Sequence, residues 1–127
     1  MQIVAALFVD NFDIRQEADG SARLDLTGVH FSTSAMSDFP IALEPHLIVL
    51  VRCPADHGGL GALEVKFMRD ETQIARNVQP LQIDPGKFNY RLVKAELSWD
   101  EPGTIEAHCC IDQGPVTVVP LTVNPPA

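Results

Sequence analysis

The sequence lacks the features that mark a helical or membrane-spanning protein. No apolar run approaches the ~20 residues of a membrane-spanning helix. No long segment of the 127 residues places apolar side chains at helical spacing. Lysine and arginine form no cluster, and only nine basic residues are spread along the chain. We therefore expect a protein that crosses no membrane and is built mainly from strands.

Basic residues are outnumbered almost two to one by acidic residues. The chain carries 17 acidic and nine basic side chains, so its formal charge is 9 − 17 = −8. A chain with this charge and no basic stretch repels phosphate groups. The composition thus predicts neither nucleic acid nor an anionic membrane surface as a partner, and the negative field of the chain favours a basic partner.

Cysteine is scarce, since the chain has only Cys53, Cys109 and Cys110. Adjacent residues of a strand point to opposite faces, so a bridge between Cys109 and Cys110 would be strained. The odd count and this spacing predict reduced thiols and a cytoplasmic location. The segment Met1–Asp10 is apolar but has no basic leader and no small-residue cleavage site. It predicts a strand and not a signal peptide.

Short apolar segments, each closed by a turn, make up most of the chain. The turns include Asp84-Pro85-Gly86 and Glu101-Pro102-Gly103, in which proline presets φ and glycine permits a positive φ. Ten prolines argue against helices. This spacing predicts an all-β fold: one antiparallel β-sandwich domain over residues 1–127, with about eight or nine strands, immunoglobulin-like or jelly-roll.

Apolar alternation predicts the strands and the side chains that face the core. We expect a first strand at Gln2–Asp10, a polar loop at Asn11–Gly20, a break at Pro45 and one continuous strand at Phe88–Trp99. The predicted core is Ile3, Ala5, Leu7, Val9, Leu24, Leu26, Leu47, Val49, Val51, Leu63, Val65, Phe67, Leu97, Trp99, Ile105, Ala107, Cys109, Ile111, Val119 and Leu121.

The two ends of the chain share a pattern with other proteins. Ala5–Asp10 runs into a polar loop and then into Leu26–Val29, while Pro102-Gly103 leads through Ile111-Asp112 to Pro120–Val123. These features resemble a family of short bacterial proteins of unknown function. The resemblance implies a single β-sandwich domain over most of the chain. It brings no catalytic residue and no cofactor.

The segment Glu106–Asp112 is the strongest candidate for chemistry. On a strand, Glu106, His108 and Cys110 share one face, because side chains alternate between the two faces. Histidine and cysteine two residues apart can chelate a transition metal, and either Cys53 or His46 would complete the set of ligands. The alternative is that His108 and Cys110 lie on a partly solvated face without a ligand. The paired spacings typical of zinc sites are absent.

Cysteine and histidine also allow a nucleophilic pair, with His108 or His46 activating Cys53 or Cys110. No local motif supports such a pair. Glu44 and His46 flank Pro45 on a predicted edge strand, where charges commonly prevent unwanted strand pairing. The loop His57-Gly58-Gly59 has neither the lysine nor the helix of a phosphate loop, so it predicts a plain connection.

Two function classes remain from the sequence. The first is a non-enzymatic interaction module that self-associates, as a homodimer, or binds a protein partner. It is favoured because no catalytic or cofactor-binding constellation is present and several strands are apolar on both faces. The second is a small-molecule or metal-binding β-sandwich, or an enzyme, using Glu106, His108, Cys110 and a residue from the loop Cys53–Gly61.

Overall fold

The computed structural model describes all residues, Met1–Ala127, and consists of strands and their connections. No helix that is long and apolar enough to traverse a bilayer occurs in it. The strands are β1 (Gln2–Gln16), β2 (Ala22–Val29), β3 (Ser32–Ser34), β4 (Ile41–Leu43), β5 (His46–Arg52), β6 (Leu60–Arg69), β7 (Thr72–Gln82), β8 (Phe88–Lys94), β9 (Leu97–Trp99), β10 (Gly103–Ile111) and β11 (Thr117–Asn124).

The strands are arranged in three sheets. A four-stranded sheet has the order β2-β1-β5-β8, a five-stranded sheet has the order β3-β11-β10-β6-β7, and β4 pairs with β9. Every pairing is antiparallel except that of β11 with β3. The all-β prediction is confirmed. The structure has eleven strands rather than the predicted eight or nine, and three of them, β3, β4 and β9, have only three residues each.

Two of the predicted strand boundaries are wrong. The first strand continues through residues 11–16, which were predicted as loop, because Phe12 and Ile14 alternate there with polar side chains and pair with β2. The predicted strand Phe88–Trp99 is divided into β8 and β9, which belong to different sheets. The predicted break at Pro45 is confirmed, since it separates β4 from β5.

The main core is a cluster of 21 buried side chains drawn from all three sheets. Thirteen predicted core residues belong to it: Leu47, Val49, Val51, Leu63, Val65, Phe67, Leu97, Trp99, Ile105, Ala107, Cys109, Ile111 and Leu121. Ile3 and Val119 pack against the cluster from its rim. Prediction missed Phe8, Val93, Leu81 and Val123, which are also members.

The predicted core face of β1 is wrong at Ala5 and Leu7, whereas Val9 is buried as predicted, although outside the main cluster. A β-bulge between Ile3 and Ala5 adds one residue to β1 relative to β5. The bulge reverses the alternation, so Ala6 and Phe8 face the core, while Ala5 and Leu7 lie outside the cluster. Composition could not reveal this shift, because both faces of Gln2–Asp10 are apolar.

The far half of the β1–β2 hairpin folds across the outer face of the four-stranded sheet, meaning the face turned away from the main core. The ring of Phe12 lies 6.1 Å from both His46 and Tyr90, which stand on the outer side of β5 and β8. Ile48, on that side of β5, is buried although it lies outside the main core cluster. The outer faces of β5 and β8 are therefore apolar in part because the hairpin of the same chain packs on them.

Candidate functional site

The predicted metal-binding residues lie on the outer face of the five-stranded sheet, as their spacing predicted. His108 Nε2 lies 3.2 Å from Glu106 Oε1, while Cys110 Sγ lies 3.9 Å from Glu64 Oε1 on the neighbouring strand. His108 and Cys110 therefore contact different carboxylates. No group of three or more histidine, cysteine, aspartate and glutamate side chains is arranged to hold a metal ion. The metal site stays a prediction.

The charged side chains around Cys110 satisfy one another. Arg76 donates to Glu64 Oε2 at 2.6 Å and 2.8 Å, and Lys66 lies 3.7 Å from the other carboxylate oxygen. The hydrogen bonds from Arg76, aided by the nearby charges of Lys66 and Arg76, lower the pKa of Glu64 below its ordinary value. This face is a network of surface ion pairs between adjacent strands.

The three cysteines are free thiols, and the structure gives one of them a histidine neighbour that sequence analysis did not choose. Cys53 Sγ lies 3.8 Å from His57 Nδ1, which accepts a hydrogen bond from the Gly59 amide at 2.9 Å. Because that amide already occupies Nδ1 and Cys53 is fully buried, the pair has no access to a substrate. Burial likewise raises the pKa of the Cys109 thiol to about 12.

A cleft of about 270 Å³, which we call the Asp10 cleft, lies where β1, β3 and the β4–β5 connection meet. His30 Nε2 lies 2.5 Å from Asp10 Oδ1, and Glu44 and His46 line the same cleft. Gly28 has φ +68°, and a Cβ there would collide with the Asp10 carboxylate. Glycine thus permits both the backbone conformation and the close approach of Asp10. Sequence analysis assigned Glu44 and His46 to an edge strand and did not predict that they line a cleft with Asp10 and His30.

An apolar groove opens on the outer face of the four-stranded sheet, between the folded-over hairpin and β8. It encloses about 240 Å³, and its apolar lining includes Ile14, Leu24, Leu50 and Phe88. Phe88 is 64% exposed and Ile14 is 43% exposed. A second depression of about 300 Å³ adjoins it, and Phe88 belongs to both linings. We call the two depressions together the Phe88 groove.

The charged side chains of the Phe88 groove are all basic. Arg23 lines the depression beside the hairpin, and Arg52 and Lys87 line the other. None of the three takes part in the seven ion pairs of the chain. Arg23 donates to a backbone carbonyl and Arg52 contacts the neutral Gln2 side chain. Their positive charges are therefore left uncompensated at an apolar surface.

The exposed edge of β8, next to the groove, is already occupied by side chains. Arg91 donates to the carbonyl of Tyr90 at 2.8 Å, and Gln79 of β7 donates to the carbonyl of Leu92 at 2.8 Å. The Tyr90 amide donates to the Asn89 side chain at 2.8 Å. These bonds use the backbone groups that another strand would need for pairing.

The three surfaces differ in chemistry: paired charges on the five-stranded sheet, histidines and carboxylates in the Asp10 cleft, and exposed apolar and unpaired basic side chains in the Phe88 groove.

Comparison with family models and curated proteins assigns no function to these surfaces. No family model matches the chain, and no curated protein matches it.

Proposed function

We propose that this chain is a non-enzymatic interaction module that self-associates or binds a protein partner through the Phe88 groove. The observation that carries the proposal is the exposure of Phe88, which is 64% accessible between two depressions, whereas Ile48 on the same outer face is buried. Large exposed apolar patches with a polar rim mark interaction sites. Buried aromatic anchors supply much of the binding energy in protein interfaces.

The architecture we propose is a β-sandwich, immunoglobulin-like or jelly-roll, whose layers are the four-stranded and five-stranded sheets. A core cluster that draws its members from both sheets supports this arrangement. We further propose a place among the short bacterial proteins of unknown function that the sequence resembles, and a cytoplasmic location. Three free cysteines support that location.

The test of the module is a pair of matched substitutions on the two outer faces. Phe88→Ser removes the apolar anchor of the groove, and Val118→Ser changes a residue of similar character, 47% exposed, on the five-stranded sheet. Light scattering on untagged protein at two concentrations measures self-association. Selection of a random peptide library on the immobilised full chain measures partner binding.

The proposal requires at least one of these signals. We expect an assembly or a set of selected peptides that is retained by Val118→Ser and lost with Phe88→Ser. A strictly monomeric protein that selects no peptide above an empty surface would contradict the proposal. So would an assembly or peptide set that Phe88→Ser leaves unchanged.

A second candidate is a small-molecule or metal-binding β-sandwich, and the Asp10 cleft is the observation that favours it. The cleft of about 270 Å³ holds the short Asp10–His30 contact, with His46 and Glu44 beside it. Imidazole and carboxylate are common ligands of first-row metals. Metal analysis of protein purified without a histidine tag tests the metal form of this candidate, which a substoichiometric content would remove.

A further inference from the structure

We infer that the Phe88 groove takes an acidic protein segment that carries large apolar side chains, with carboxylates on both sides of the apolar contact. This inference rests on the proposed function and names the chemistry of the partner. It follows from the charges around the groove, their place relative to Phe88 and the state of the neighbouring strand edge.

The charge around the groove is opposite to that of the protein as a whole. The chain carries 17 acidic and nine basic residues. The two depressions are nevertheless lined by Arg23, Arg52 and Lys87 and by no acidic side chain. The other lining residues are neutral. A positive local potential on an acidic protein attracts negatively charged partners to that place and sets their orientation.

The basic side chains stand on both sides of the apolar anchor. Arg23 lines the depression next to the hairpin, while Arg52 and Lys87 line the one on the other side of Phe88. A segment that places its apolar side chains over Phe88 would therefore present carboxylates to Arg23 at one end and to Arg52 and Lys87 at the other. Charge pairs at the rim of an apolar contact supply orientation and association rate more than affinity.

The same arrangement disfavours two other occupants. A two-fold dimer joins a patch to its own copy, so a dimer built on this groove would set unpaired basic side chains against one another. An anionic membrane presents a broad surface that faces the whole protein, whose net charge is −8. A short peptide samples only the field within about one Debye length, ~8 Å in physiological salt.

The partner lies on the face of the sheet and does not extend it. Addition of a strand to β8 would require the carbonyls of Tyr90 and Leu92, which already accept bonds from Arg91 and Gln79. Side-chain contacts in the groove must therefore carry the recognition.

The test separates charge from apolar contact. The variant R23Q/R52Q/K87Q removes three positive charges at exposed positions, and the control K66Q/R76Q/K94Q removes three elsewhere. A random peptide library is selected on the wild-type chain, on each triple variant and on Phe88→Ser. The enriched peptides are then synthesised, and their affinity is measured by fluorescence polarisation at low and high salt.

We expect the wild-type chain to enrich peptides with a net negative charge around aromatic or aliphatic residues. Three rim charges should account for about a tenfold loss of affinity in R23Q/R52Q/K87Q, since exposed ion pairs are individually weak. The control triple variant should retain affinity. High salt should weaken binding to the wild-type chain and have less effect on R23Q/R52Q/K87Q.

Several outcomes would overturn the inference while leaving the interaction module intact. They are enrichment of neutral or basic peptides, equal affinity of the two triple variants, a dimer that depends on Phe88, and binding to phosphatidylserine vesicles that R23Q/R52Q/K87Q abolishes. Failure to enrich any peptide, together with a monomeric protein, would instead overturn the proposed function itself.

Discussion

The outer faces of the two large sheets differ in how their charged side chains are paired. On the five-stranded sheet, Arg76 and Lys66 neutralise Glu64, and Glu106 contacts His108. On the four-stranded sheet, Phe12 of the β1–β2 hairpin lies against Tyr90 and Ile48 is buried, but Phe88 stays exposed. Both faces expose apolar side chains, among them Val78 and Val118 on the five-stranded sheet, so the difference between the faces lies in their charges. A face that combines exposed apolar area with unpaired positive charge gains from a molecule that supplies the missing contacts.

The largest effect is expected from the core side of the four-stranded sheet. Phe8 is 1% exposed and packs in the main core, so Phe8→Ala should lower the free energy of unfolding by about 3–5 kcal/mol. Phe88→Ser should change it by less than about 0.5 kcal/mol, since exposed substitutions usually do. Urea unfolding of both variants measures the contrast. Equal losses would show that Phe88 is structural and would remove the basis for the groove as a binding surface.

A smaller effect is expected where the hairpin leaves the sheet. Gly28 has a positive φ and faces the Asp10 carboxylate, so Gly28→Ala should destabilise the protein by about 1–3 kcal/mol. Asp10→Ala combined with Gly28→Ala removes the collision with the carboxylate, but it retains the Cβ of residue 10 at 3.0 Å and the backbone strain. Thermal unfolding of the single and double variants should show partial recovery in the double variant. No recovery would mean that the collision with Asp10 has no part in the loss.

The hairpin also marks the limit of what the sequence could predict. Alternation placed the core face of β6 and β10 correctly, because the other face of each strand carries charged side chains. On β5 both faces are apolar in the middle, and the polar residues His46 and Arg52 at the two ends of the outer face identified the inner one. It failed on β1, where both faces are apolar and the bulge between Ile3 and Ala5 decides the register. It also assigned Leu24 and Leu26 to the main core, although both are half-buried outside that cluster on the hairpin.

The same holds for the candidate sites: those formed within one strand could be predicted from the sequence, and those formed by distant segments could not. The shared face of Glu106, His108 and Cys110 is a local property of one strand, so spacing predicted it. The Phe88 groove could not be predicted, because it joins β8 to a hairpin distant in sequence and depends on where that hairpin folds. The contact between Cys53 and His57 depends on a loop conformation that residue types alone do not define.

The smallest effect is expected on the paired face. Arg76→Gln removes the hydrogen bonds that lower the pKa of Glu64, so that pKa should rise toward its ordinary value. In the wild-type protein the lowered pKa contributes stability above the unfolded-state pKa, and this contribution is lost as the pH falls through the folded-state value. Arg76→Gln should therefore show a slightly lower stability at neutral pH and a weaker loss of stability on acidification.

A carboxyl-detected NMR titration of Glu64 measures the pKa directly, with Lys94→Gln as a control on another surface. An unchanged Glu64 pKa in Arg76→Gln would show that Arg76 does not stabilise the Glu64 carboxylate. The difference in charge pairing between the two sheets would then no longer hold.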